Sequence, residues 1–316
     1  MEVDAVADVR ADPLGFEAAA VAAEKAGYAG IGLPETRHDV FVSAALAARA
    51  TSRLTLQTSI AVAFARNPMT VAQSANDAQL VSGGRFQLGL GSQVKQHVER
   101  RFGMPWGSPA ARMEEFVAAV RAIWAAWAGG ERLHFEGEHY RHTLMTEMFD
   151  PGPNPHGTPP VLLAAVGPRM TEVAGRVADG LLCHSLTTPD YLREVTLPAV
   201  RRARGEAAGA FTLALPVFTA VGVDEAGRAR AEAGVRRQLA FYASTPAYRA
   251  VLDHHGWGEL HERLNRLSRA HAWTEMAEAI DDDVLAAFAV SGTPQQVADG
   301  IADRYAGLVD RVSLYS

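Results

Sequence analysis

The stretch GGRFQLGLGSQV, residues 83–94, decides the fold. A strand-like run, Phe86 to Leu90, ends in Gly89-Leu90-Gly91-Ser92-Gln93-Val94. This nearly spells G-x-G-x-x-G, the turn that binds dinucleotide phosphates. Three features argue against that turn. Val94 stands where a third glycine would allow close packing of helix on strand. The fingerprint normally occupies the first strand of its sheet, and this is the fourth strand-like run of the chain. An acidic residue about 20 positions on, after a second strand, is missing, because residues 109–128 read as helix. What remains is a strand ending in small residues, Gly91 and Ser92, followed by Gln93. At the C-terminal mouth of a parallel barrel that is where ligands bind. Glycine lets a flat ring approach the backbone, and Ser92 and Gln93 are able to hydrogen-bond its edge. A tight turn with no ligand is the competing reading.

Outward from this strand, one punctuation recurs. Asp12-Pro13, Asn67-Pro68, Ser108-Pro109, Gly167-Pro168, Thr188-Pro189 and Thr293-Pro294 each place a capping residue before a proline and a helix-forming run. The capping side chain accepts from an orphan N–H of the first turn. Proline suits the first helical position, where an N–H would have no intrahelical partner. Thr293 with Gln296 forms a capping box. Short apolar runs precede several of these starts. Strands are expected at Val3–Ala7, Ala29–Leu33, Leu54–Ala63, Phe86–Leu90, Val161–Val166, Leu181–His184, Leu213–Val221 and Val312–Tyr315. Each but the last is followed by helical sequence, so the sheet is parallel. Eight such strands close an α/β (β/α)8 TIM barrel. Phe116, Val120, Ile123, Trp124 and Trp127 fall on one helical face and read as core. Residues 133–140 alternate around a glycine-centred turn, a small β-hairpin before strand five. The proline-glycine stretch 150–160 is a loop. From about 224 to 290 the chain is helical and charged, a helical insertion before the last βα unit of a single domain spanning 1–316. His254, His255, His261 and His271 lie in it and read as solvated.

Composition limits the function. The 316 residues carry 48% hydrophobic and 21% charged side chains, with a net charge of −6. Without a basic excess, nucleic acid is not an expected partner. The single cysteine, Cys183, leaves no intrachain disulfide and no cysteine-based zinc site. The acidic N-terminal residues Glu2, Asp4 and Asp8 do not fit a signal peptide, and no apolar run approaches a membrane span. A cytoplasmic protein with no membrane partner is expected. His134, His139 and His142 have no carboxylate at helical spacing and split across the hairpin faces, so no metal is expected.

Two more segments carry chemistry. Ala164-Ala165-Val166-Gly167-Pro168-Arg169 runs from a strand into a helix N-terminus, whose free N–H groups and dipole favour an anion; Arg169 adds charge. Glu35-Thr36-Arg37-His38-Asp39 follows strand two, where His38 is placed to donate a proton or hydrogen-bond a cofactor. A surface-loop histidine is the competing reading.

In this order the segments GLPETRHD (32–39), LQTSIAVAFARNPMTVAQSA (56–75), SGGRFQLGLGSQVKQHVERRFGMPW (82–106), PPVLLAAVGPRMTEVAGRVADGL (159–181) and GTPQQVADGIADRY (292–305) resemble the luciferase-like monooxygenase superfamily. Within it they look like the coenzyme F-420-dependent oxidoreductases. The resemblance covers essentially the whole chain. It implies a TIM barrel with a long insertion before the last strand, and a flavin or deazaflavin in the barrel mouth. Ser59-Ile60 matches a non-proline cis peptide that backs the ring. Gly91, Ser92 and Gln93 match the strand-four loop against the ring. Ala164, Ala165, Val166 and Gly167 match the second cofactor loop, with Gly167, Pro168 and Arg169 at the phosphate. Leu181 matches a residue lining the same pocket, and His38 the histidine near the reactive face. Glu35 or Arg66 is expected to orient substrate. The resemblance also implies a homodimer.

Two family features are absent. Gln93-Val94-Lys95 lacks the acidic proton donor of the F-420-dependent sugar-phosphate dehydrogenases, and Phe41-Val42 stands where they carry a tryptophan. The expected function is hydride transfer between F-420 and a small organic molecule. The alternatives are an FMN-dependent monooxygenase fed by a separate cofactor reductase, and a non-catalytic flavin-binding protein on the same barrel.

Overall fold

The computed structural model describes residues 1–130, 132–206 and 209–316. Its eight barrel strands are β1 (Glu2–Val6), β2 (Gly30–Leu33), β3 (Thr55–Thr58), β4 (Phe86–Gly91), β5 (Val161–Ala165), β6 (Gly180–Cys183), β7 (Thr212–Val221) and β8 (Arg311–Tyr315). Neighbours in chain order pair in parallel, and β8 pairs β1 to close the ring. All eight expected strands are present, so the fold is the closed α/β barrel the alternation implied.

The helices begin where the sequence punctuates. Asp12 and Asn67 accept from the third N–H of α1 (Pro13–Ala26) and α3 (Pro68–Ser82). Asp39 caps α2 (Val40–Ala50). On α4 (Pro109–Trp127), Phe116, Val120, Ile123, Trp124 and Trp127 are all buried, and the Trp124 indole N–H reaches the Ala72 carbonyl at 3.0 Å. Gly167 starts α5 (Pro168–Val177) without a side-chain cap. The capping box at Thr293 forms, and the hairpin pairs Phe135 with His142.

Two features depart from expectation. The third strand is broken. Gln57 pairs Gln87, whereas Ala61 pairs Leu90, so four steps on one chain meet three on the other. That one-residue bulge bends the chain at residues 58–60. The charged segment after β7 is helical from Glu225 to Phe288, but Ala289–Gly292 is a short strand on the outer end of β7. The run AVSG is too short and small to be distinguished from a helix end. The insertion buries its own core against Leu186, Tyr191 and Phe218. Its histidines are not all solvated: His261 is buried with Nδ1 at 2.8 Å from the Ala243 carbonyl, and His255 lies 2.8 Å from the Thr188 hydroxyl.

Candidate functional site

Strand alternation fixes which side chains face the barrel axis. Leu182 on β6 approaches the Gly89 position on β4, passing β5 on the inside. Leu162, Leu182 and Ala214 therefore form an inner layer, with Ile60 and Ala164 packed on it. Two residues further, the same faces carry Gly91, Val166 and His184 to the mouth.

One half of the mouth is made of small residues. At Gly89 a Cβ would lie 1.9 Å from the Thr58 carbonyl oxygen. The Thr58 hydroxyl both accepts from the Gly89 N–H and donates to its carbonyl, each at 2.8 Å. This locks the β3 bulge to β4. The Ser59–Ile60 peptide bond is cis. At Gly91 a Cβ would meet the Ile60 side chain at 2.8 Å. Ser59 is exposed and Ile60 half-buried. Together they leave a flat floor. Gln93 is left-handed, with φ 60°, and its Oε1 accepts from the Val94 N–H at 2.9 Å. The Ser92 hydroxyl donates to the Gln93 carbonyl at 3.1 Å. Both side chains are thus folded onto their own loop, and the Gln93 amide N–H groups make no hydrogen bond among the described residues.

At the β5 end, a Cβ at Gly167 would meet nothing within 4 Å, and no side chain caps the helix behind it. Pro168 and Arg169 are exposed. Beside them lies a cavity of about 20 Å³, lined by Ala165, Val166, Thr171, Leu181, His184 and Thr187 among others. The Thr187 hydroxyl is buried without a hydrogen-bond partner. An uncapped helix N-terminus, open space at its first residue and an orphaned hydroxyl nearby fit the anionic end of a cofactor. Leu181 and Ala165 reach this cavity from the helix-facing side of their strands, and Leu182 and Ala164 take the axial positions. Cys183 is buried, which pushes its thiol up to about 12 and keeps it protonated.

Across the mouth, Glu35 accepts from the Val62 N–H at 2.7 Å and from Arg66 at 2.8 and 2.5 Å. Arg66 also reaches Asp39 at 2.6 Å. Burial disfavours the Arg66 charge, but the two carboxylates hold its pKa above the usual arginine range. Glu35 therefore ties the β2 loop to the end of the β3 bulge rather than presenting a free carboxylate. His38 is exposed on the same loop, and its ring makes no hydrogen bond among the described residues. The structure thus places His38 at the rim and Ser59, Ile60 and Gly91 at the floor, with Gly167 at one end.

A second half of the mouth had no motif to announce it. His184, at the end of β6, stacks on Tyr248 with centroids 4.4 Å apart and meets Tyr242 edge-on at 4.6 Å. Phe218 of β7 and Tyr315 of β8 pair directly across their ladder, and both rings contact each other and, for Phe218, Tyr242. Burial lowers the His184 pKa to about 4. Among the described residues, no group of three or more His, Cys, Asp or Glu is placed to hold a metal, and no helix is long and apolar enough to cross a membrane.

Residues 8–311 match the family described as luciferase-like monooxygenase. An uncharacterized protein of Mycobacterium tuberculosis is 52% identical over 297 residues, covering 93% of this chain and 87% of its own length. The 5,10-methylenetetrahydromethanopterin reductase of Archaeoglobus fulgidus is 28% identical over 242 residues, 74% of this chain and 68% of that one. Among solved structures, the coenzyme F-420-dependent tetrahydromethanopterin reductase of Methanopyrus kandleri superposes with a TM-score of 0.78 at 21% identity, over 98% of this chain and 91% of that one. The chain therefore belongs to the luciferase-like monooxygenase family.

Proposed function

We propose that the protein is a coenzyme F-420-dependent oxidoreductase that moves a hydride between the deazaflavin and a small organic substrate. The observation that carries this is the split mouth: a floor of Ser59, Ile60 and Gly91, running to an uncapped helix N-terminus at Gly167. A planar ring with an anionic tail fits that outline. When bound, the deazaflavin supplies a carbon hydride donor or acceptor where a flavin has nitrogen. An F-420-dependent reductase among the similar structures supports the deazaflavin reading, and FMN-bound structures of the same fold keep FMN as the alternative.

The chain's own residues supply position. Gly91, Ser92 and Gln93 hold the ring edge through backbone and amide groups. Ala164, Ala165, Val166, Gly167, Pro168, Arg169 and Leu181 hold the tail end. Glu35 acts as a positioning residue, fixing Arg66 and Val62. His38, free at the rim, is the proton partner for the reacting substrate. The exposed apolar residues Val42 on α2 and Leu80 and Val81 on α3 give a homodimer a surface to form on.

The test is anaerobic mixing of the enzyme with reduced F-420 and a panel of carbonyl compounds, following return of oxidised cofactor. Oxidation without oxygen supports hydride transfer. Oxygen uptake with reduced FMN and no F-420 turnover would move the enzyme to the monooxygenases.

A further inference from the structure

The aromatic half of the mouth has an unused hydrogen-bonding capacity. The hydroxyls of Tyr242 and Tyr315 lie 2.7 Å apart, and Gln238 donates its amide N–H to the Tyr315 oxygen at 2.6 Å. Two phenols carry two protons. One proton lies between the oxygens, and Gln238 brings a donor of its own. One phenolic O–H is therefore left with no acceptor among the described residues. His184 has the same surplus. Its Nδ1 accepts from the Leu186 N–H at 3.0 Å, so the proton of the neutral ring sits on Nε2. One surplus donor is on His184 and the other on the phenol pair, whose Tyr242 ring is in direct contact with His184.

The wall around them is apolar and uncharged. Phe218 is fully buried beneath Tyr242 and Tyr315, and Tyr248 covers His184. Among the described residues no lysine or arginine lies over these rings, and Arg66 at the rim is held by Glu35 and Asp39. Two neutral donors against stacked rings suit an uncharged oxygen acceptor and not a carboxylate or phosphate.

Resting on the hydride-transfer reading, we propose that His184 Nε2–H and the free phenolic proton of the Tyr242–Tyr315 pair hold the carbonyl oxygen of an uncharged, planar substrate. The half-buried Tyr248 ring binds its apolar body, and the fully buried Phe218 backs the two phenols. The pair of donors fixes the carbonyl carbon towards the small-residue half of the mouth, where the cofactor ring lies. Gln238 is a positioning residue, because it acts only by orienting the Tyr315 hydroxyl. The insertion contributes Gln238, Tyr242 and Tyr248, so it sets substrate choice while the barrel strands set the cofactor.

The experiment uses the full chain and three probes of similar size: acetophenone, ethylbenzene, which lacks the oxygen, and benzoate, which is charged. Dissociation constants come from fluorescence or ligand-observed NMR, and the carbonyl stretch of bound, carbon-13-labelled acetophenone from infrared difference spectra. Acetophenone is expected to bind at least about tenfold more tightly than either control, since a donor pair left unpaired penalises the analogue. Its stretch is expected well below the value in hexane. Tyr242→Phe combined with Tyr315→Phe, and separately His184→Phe, are each expected to weaken binding about threefold to tenfold and to move the stretch towards the hexane value. Ethylbenzene or benzoate binding as tightly as acetophenone, or a stretch at the hexane value in the parent protein, would overturn the proposal. The parent spectrum decides even where a variant fails to fold. An F-420 titration of the same parent sample separates the two readings. Ketone selectivity without F-420 binding removes hydride transfer and leaves the donor wall; F-420 binding without ketone selectivity removes the wall alone.

Discussion

Replacing Glu35 by alanine tests whether this carboxylate is a brace or a free acid. Its side chain is 6% exposed and that of Arg66 16%. The substitution deletes both bonds from Arg66 and leaves the fully buried Val62 N–H without its acceptor. Arginine does not shed its proton, so its charge stays. Breaking a buried pair by removing one partner costs about 3–5 kcal/mol. Arg66 keeps Asp39 at 2.6 Å and the Val62 carbonyl at 3.3 Å, which places the expected loss near the low end, about 3 kcal/mol. Glu35→Gln keeps an acceptor for Val62 but loses the charge and one of the two oxygens that accept from Arg66, for about 1–2 kcal/mol. Pairing Glu35→Leu with Arg66→Met removes the orphaned charge and is expected to restore stability relative to Glu35→Ala. The assay is urea unfolding followed by tryptophan fluorescence, with Glu35→Leu alone and Arg66→Met alone completing the double-mutant cycle. A loss below about 1 kcal/mol for Glu35→Ala, with no coupling between Glu35 and Arg66, would refute the brace and leave Glu35 available to orient substrate.

Three further outcomes follow from the geometry. Gly89→Ala is expected to destabilise by about 3 kcal/mol or more, measured by urea unfolding, because the new Cβ would lie 1.9 Å from the Thr58 oxygen and neither backbone yields without breaking the reciprocal bonds. Gly167→Ala is expected to leave stability within about 0.5 kcal/mol, since its φ is −97° and space is open, yet to weaken F-420 binding about tenfold by intruding at the anion end. Acid should destabilise the fold in two successive windows. His184 stays neutral in the fold down to about 4, whereas the unfolded chain protonates from 6.5, so stability falls between those values and His184→Phe removes that slope. Glu24 accepts the N–H groups of Ser52, Arg53 and Leu54, which hold its carboxyl at about 2 against 4.5 unfolded. Its contribution is present above 4.5 and lost as pH falls towards 2. Solvent screening limits it to about 1 kcal/mol, read from the pH dependence of Glu24→Gln.

The barrel was legible because its signals are local. An apolar run followed by Asn67-Pro68 or Thr293-Pro294 carries both the strand and the start of the next helix within a dozen residues. Gly91 was readable as a small residue at a strand end, whereas Ser59-Ile60 came from the family resemblance, and the closeness of Gly89 to the Thr58 carbonyl depends on the bulge between strands. Glu35 was legible as a polar residue at a strand end, but its pairing with Arg66 and Val62 depends on a bulge that no spacing reveals. The aromatic half was not legible. His184, Phe218, Tyr242, Tyr248 and Tyr315 come from five separate elements, and only the closure of the barrel and the docking of the insertion bring them together. Histidines of a charged helical segment read as solvated, but His261 lies under the Ala243 carbonyl because its helix packs back on the insertion's own core.

The central claim is that the small-residue half of the mouth holds a deazaflavin. Paired equilibrium titrations of the apo-protein with F-420 and with FMN, each oxidised and reduced, followed by absorbance and fluorescence, test it most directly. The account predicts saturable micromolar binding of F-420 and much weaker binding of FMN. Preferential binding of FMN, or no binding of F-420, would contradict it.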